Sequence, residues 1–267
     1  MVNRIESTFK KLKAEGNKAL VSFITAGDPN MKTSEQILFD LPKYGVDIIE
    51  VGIPFSDPMA DGPTIQRSSQ RAISAGSSLS RTFTIINKFR KVNSSTPIIL
   101  MGYFNPIFQF GLNKFFSSCK NIGVDGIIVV DLPPEESELI NVYTKKYGIH
   151  NIRLITPTTD KKRLKKILKF TSGFLFNVSI TGITGTKKPS VLDVKNAVNK
   201  IKIDTNLPVV VGFGIDNHKQ AKALSKFSDG CVIGSAIIKI IESNKEQNKF
   251  KISKKIEDFL IKFSREK

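Results

Sequence analysis

Short runs of apolar and β-branched residues recur along the chain at positions 20–24, 47–51, 97–101, 126–130, 152–155, 174–178, 208–211 and 231–233. Unbroken apolar runs of this length suit parallel strands that are covered on both faces. The segments between them carry helical spacing. Leu164, Ile167 and Leu168 form one stripe, Leu139, Val142 and Tyr143 another, and Val191, Val194 and Val198 a third. Alternation of this kind predicts an α/β fold. Eight strand–helix units in a chain of 267 residues match what a (β/α)8 TIM barrel requires. A doubly wound open sheet is the alternative, because the pattern alone does not show closure. Ile5, Phe9 and Leu12 predict an N-terminal helix that covers one barrel end. The interval between the second and third runs is nearly doubled and leaves room for an extra helix. No linker interrupts the pattern, so residues 1–267 are read as a single domain.

Composition narrows the class. At 40% hydrophobic and 24% charged residues, the chain can build a real core and is not globally disordered. No apolar run approaches the ~20 residues that span a bilayer. The first residues lead into charge instead of an apolar stretch, so a cytoplasmic protein away from membranes is expected. Cys119 and Cys231 each sit in an apolar stretch and read as reduced core thiols. His150 and His218 are the only imidazoles, which argues against a His-rich metal centre or a Ser-His-Asp site. The net charge of +17 invites a nucleic-acid reading. Its lysines are dispersed, as at Lys161, Lys162, Lys165, Lys166 and Lys169, and no aromatic–basic motif accompanies them. No nucleic-acid partner is expected; the field would instead favour small anions.

Candidate chemistry gathers after the strand ends, where parallel barrels carry their sites. Glu50 stands inside an apolar strand, where an unpaired carboxylate is costly to bury and its pKa should rise toward the range useful for proton transfer. Asp57 and Asp61 follow in a Pro/Gly-punctuated loop. Gly185, Gly214 and Gly234 remove side chains where backbone amides can approach an anion. Ser235 opens an apolar segment whose helix N-terminus would face phosphate. None of the strand runs contains Lys, so a Schiff-base aldolase is not expected.

The segment IEVGIPFSDPMADG at 49–62, with SFITAGDP, MGYFNPI, DLPPEE, GITG, GFGI and GSAI in the same order, resembles the tryptophan synthase alpha chain family over roughly residues 5–260. The resemblance implies a lyase that reversibly cleaves indole-3-glycerol phosphate into indole and glyceraldehyde 3-phosphate. It implies Glu50 and Asp61 as the acid–base pair, and Gly185, Phe213, Gly214, Gly234 and Ser235 at the phosphate. It further implies Thr184 on a lid, and Phe23, Leu100, Ile128 and Phe176 around the indole. Family members commonly carry Tyr where Phe176 stands, and Ile180 replaces a residue often polar. The resemblance also implies a beta chain partner in an α2β2 heterotetramer, met by Pro54, Asp57, Asn105 and Asp131. Pyridoxal phosphate belongs on that partner, and no cofactor is expected on this chain. The competing reading is a weakly active or inactive regulatory subunit that responds to phosphate ligands and activates the beta chain.

Overall fold

A computed structural model describes residues 3–178, 190–212 and 214–263. Its nine strands, all parallel, are β1 (Ala19–Thr25), β2 (Ile48–Gly52), β3 (Ile98–Gly102), β4 (Gly126–Val129), β5 (His150–Asn151), β6 (Arg153–Ile155), β7 (Leu175–Val178), β8 (Val209–Gly212) and β9 (Gly230–Ile233). The ladder runs β5-β4-β3-β2-β1-β9-β8-β7-β6. Its two ends, β5 and β6, are separated in sequence only by Ile152, whose N–H donates to the Ile127 carbonyl at 2.9 Å. They are halves of one barrel strand, and the covalent chain between them closes the sheet. The barrel is therefore of the (β/α)8 kind, and the open sheet is excluded.

Period-two alternation divides the side chains of each strand between two cores. Val21, Ile48, Ile99, Ile128, Ile152, Phe174, Phe176, Val210 and Val232 fill the barrel interior. Leu20, Ile49, Val51, Leu100, Ile127, Leu175 and Val211 join the layer between sheet and helices. The helix α1 (Arg4–Ala14) begins where the Asn3 side chain accepts from the Ile5 N–H, and it sends Ile5, Phe9 and Leu12 into the barrel interior. Its Phe9 ring lies 5.6 Å from that of Phe174, which plugs the N-terminal end of the barrel. Asp125, at the foot of β4, holds this plug in place: its carboxylate accepts from Arg4, Arg90 and the Ile98 N–H at 2.9, 3.2 and 2.9 Å.

Two helices, α2 (Met31–Asp40) and α3 (Pro63–Ser74), follow β1 and β2, and the doubled interval before β3 holds a second one, α4 (Leu79–Val92). Next come α5 (Phe104–Phe110), α6 (Leu112–Asn121), α7 (Glu138–Tyr147) and α8 (Lys161–Lys169). The last four are α9 (Val191–Ile203), α10 (His218–Ser225), α11 (Ser235–Ser243) and α12 (Lys249–Leu260). Two expectations need correction. On α7 the buried face is Ile140 and Thr144, while Leu139 and Val142 are 45% and 63% exposed. Thr144 can be buried because its hydroxyl donates to the Asn141 carbonyl. On α9 the inward stripe is Val194, Val198 and Ile201, with Val191 exposed at the first turn. His150 lies within β5, largely enclosed against Gly173 and 3.4 Å from Glu6. Both cysteines are buried free thiols, and burial pushes the Cys231 thiol up to about 12. Among the described residues no helix is long and apolar enough to cross a membrane.

Candidate active site

Alternation along β2 decides the placement of Glu50. Ile49 and Val51 join the outer layer, so Glu50 between them points into the barrel. It pairs in register with Phe23 on β1 and Ile99 on β3. The side chain is 1% exposed, and among the described residues neither carboxylate oxygen has a hydrogen-bond partner. Burial alone pushes its pKa up to about 8, so the group holds its proton at neutral pH.

The chain leaves β2 still laddered to β3 through the Ile53 N–H and the Met101 carbonyl, at 2.8 Å. It then turns where the Asp61 N–H donates to the Pro58 carbonyl at 3.0 Å. Gly62 and Pro63 open α3 immediately afterwards, with Pro63 in a position where its missing N–H costs nothing. Asp61 thus sits at the mouth of the barrel above Glu50's strand. Burial pushes its pKa up to about 6, opposed by a hydrogen bond with the Tyr103 hydroxyl. Burial thus pushes up the pKa of both carboxyl groups of one strand–loop unit, and Glu50 keeps its proton to higher pH than Asp61 does.

Asp61 borders a slot lined also by Phe23, Thr25, Gly52, Met101 and Val130, with free space of about 10 Å³, the room of a single water. Phe23 and Phe176 are buried; Phe176 belongs to the barrel interior, and Phe23, two residues after the interior Val21 on β1 and in register with Glu50, turns to the same face. Ile128 pairs with Met101 inside the barrel. Leu100 does not line the slot: it lies in the outer layer beneath the helices, and alternation gives the inward position to Met101. The sequence reading missed Met101, Tyr103 and Val130. The parity set by Glu50 points to Met101 once the β2–β3 register is known.

At the far side of the mouth, Gly214 has a φ of +60° and Gly234 caps α11, whose first residue is Ser235. A Cβ on Gly234 would stand 3.2 Å from the Phe23 Cβ, so that glycine keeps the backbone close to the aromatic slot. Thr184, Gly185, Ile180 and Phe213 lie outside the described residues.

Among the positions expected to meet a partner, Asp57, Asn105 and Asp131 are exposed. Asp131 accepts the Phe104 N–H at 2.7 Å and so sets the start of α5. Pro54 is buried, because the chain is still tied to β3 one residue earlier, and offers no surface.

The family model of the tryptophan synthase alpha chain matches residues 9–264. The chain is similar to the solved structure of tryptophan synthase subunit alpha from Legionella pneumophila, at 37% identity and a TM-score of 0.91, covering 98% of this chain and 97% of that one. It is similar also to a tryptophan synthase complex from Pyrococcus furiosus, at 35% identity and a TM-score of 0.83, covering 92% and 97%. A tryptophan synthase from Mycobacterium tuberculosis matches at 25% identity and a TM-score of 0.89, covering 98% and 97%. With a barrel built in the same way over nearly the full length, the chain belongs to the tryptophan synthase alpha chain family.

Proposed function

We propose that the lyase reaction of this family, cleavage of indole-3-glycerol phosphate into indole and glyceraldehyde 3-phosphate, runs in this chain through Glu50 and Asp61. The observation that carries this reading is the placement of the two carboxyls. Glu50 is buried inside the barrel with no hydrogen-bond partner among the described residues, and Asp61 is at its mouth, where burial pushes its pKa up less far. Glu50 gives its proton to the indole C3, and the ring nitrogen becomes cationic. The ionised Asp61 accepts a hydrogen bond from that N–H and stabilises the charge. Glu50, now a carboxylate, takes the proton of the adjacent glycerol hydroxyl. As it does so the C–C bond breaks, its electron pair re-forms the C2–C3 double bond while the C2–N pair returns to the nitrogen, and Glu50 ends protonated by the hydroxyl's proton. General acid–base transfer of this kind contributes roughly 10²–10⁴-fold, with the fixed charge of Asp61 and positioning supplying more.

The phosphate end is assigned to Gly214, Gly234 and Ser235 at the N-terminus of α11, joined by Gly185 and Phe213. Backbone N–H groups and the helix dipole favour an anion there. Phe23, Met101, Ile128 and Phe176 supply the apolar walls. Since the slot has room for about one water, the indole enters as these side chains shift. A beta chain partner in an α2β2 assembly is the reading for the exposed Asp57, Asn105 and Asp131, with pyridoxal phosphate on that partner. This chain is read as one cytoplasmic domain that carries no cofactor or metal. The reading is tested by following indole release from indole-3-glycerol phosphate, with the chain alone and reconstituted with a beta chain. Turnover that survives chelator supports it; no turnover in either state overturns it in favour of a regulatory subunit.

A further inference from the structure

Tyr103 follows β3 directly and is 3% exposed. Its phenolic oxygen meets the β2–α3 loop twice. The Ala60 N–H donates to it at 3.0 Å, and the Asp61 carboxyl is hydrogen-bonded to it as well. A phenol has one proton to give. Toward a backbone N–H the oxygen can only accept, so its single O–H is committed to Asp61. The ring is held in turn by Phe55 of the same loop, at 5.3 Å between centroids and 32° between planes. Residues 55, 60 and 61 therefore all rest on one side chain that another strand supplies.

We propose that Tyr103 is a positioning residue for the cleavage reaction: it occupies one oxygen of Asp61 and leaves the other for the ring N–H of the substrate. This rests on the reading that Asp61 receives that N–H. Two consequences separate such a role from simple support of the loop. A donor fixed on Asp61 favours its ionised form against the burial that opposes it. It also sets the direction of the remaining oxygen, which matters more for rate than for substrate binding. Among the described residues, the groups around the pair are Thr25 of β1, Ser69 of α3 and Asp131 after β4. Thr25 and Ser69 are neutral, and Asp131 acts to raise the phenol. Among these described residues there is no cation that could replace the hydroxyl in keeping Asp61 ionised.

The test uses the full chain with Tyr103→Phe, which keeps the ring on Phe55 and removes only the hydroxyl. Asp61 is titrated by carboxyl ¹³C resonance in the free chain, its signal assigned by its loss in Asp61→Asn. The proposal expects the Asp61 midpoint to rise by about one unit. The acid limb of kcat/KM should rise with it, and kcat at pH 6.5 should fall at least tenfold more than KM rises. A chain carrying 3-fluorotyrosine at position 103 keeps the fold and strengthens the donor, so its midpoint should move the opposite way. An unchanged midpoint in both variants, or a loss of activity uniform across pH, overturns the proposal. If Asp61→Asn itself retains full turnover, the reading of the active site fails instead.

Discussion

The ring of Phe23 lies where a side chain at position 52 would have to stand: its Cζ is 2.6 Å from the place of a Cβ on Gly52. Phe23 also pairs in register with Glu50, two residues before that glycine. The absence of a side chain at 52 thus lets the aromatic ring close over the strand that carries the buried carboxyl. Gly212 admits Phe176 in the same way on the opposite side of the barrel. Gly52→Ala should push the Phe23 ring out of its seat, costing about 1–3 kcal/mol of stability and at least tenfold in kcat. Thermal unfolding and steady-state indole release measure both; a variant as stable and as fast as the parent would show that the ring is free to sit elsewhere.

The two carboxyls predict the shape of the pH–rate profile. Turnover needs Asp61 ionised and Glu50 protonated. The free chain's kcat/KM should therefore be bell-shaped, with an acid limb near pH 6 and a basic limb near pH 8. Asp61→Asn should abolish the acid limb. A profile flat from pH 5 to 9 would contradict the assignment.

Glu50 should also make the protein less stable in alkali. Its pKa is about 8 in the folded chain against an ordinary 4.5, so the folded state binds the proton more tightly than the unfolded state does. The stability this provides is complete below about pH 4.5 and is lost as pH rises through about 8. Glu50→Gln has no proton to lose. It should match the parent near pH 5 and exceed it at pH 9 by on the order of 3 kcal/mol. Denaturant unfolding at the two pH values checks this. A difference independent of pH would mean that Glu50 is not desolvated.

At the phosphate end, Gly234→Val adds a branched side chain 3.2 Å from the Phe23 Cβ, at the cap of α11. Affinity for glycerol phosphate, measured by calorimetry, should fall at least tenfold while the circular dichroism spectrum is retained. Unchanged affinity would place the phosphate elsewhere.

How much of this the chain discloses in one dimension depends on whether a position is set by local pattern or by pairing. The strand runs are visible because strands buried on both faces are apolar throughout. That same uniformity hides which way each residue points, and so 97–101 offers no reason to prefer Met101 over Leu100 until β3 is registered against Glu50. On α7 two overlapping stripes compete, and Thr144 wins the inward place by satisfying its hydroxyl within its own helix turn. Glu50 stands out because a carboxylate is anomalous inside an apolar run. Tyr103 does not, because its meaning comes from a loop more than forty residues earlier in the chain. The glycines of the phosphate end are legible by type, but their closeness to Phe23 belongs to the closed barrel.

The most direct test of the acid–base pair compares rate with binding in Glu50→Gln. The substitution keeps shape and removes the transferable proton. Single-turnover indole release should fall about 10²–10⁴-fold, while glycerol phosphate binds within tenfold of the parent. Retained turnover, or affinity lost in step with rate, would contradict the account and leave Glu50 a structural residue.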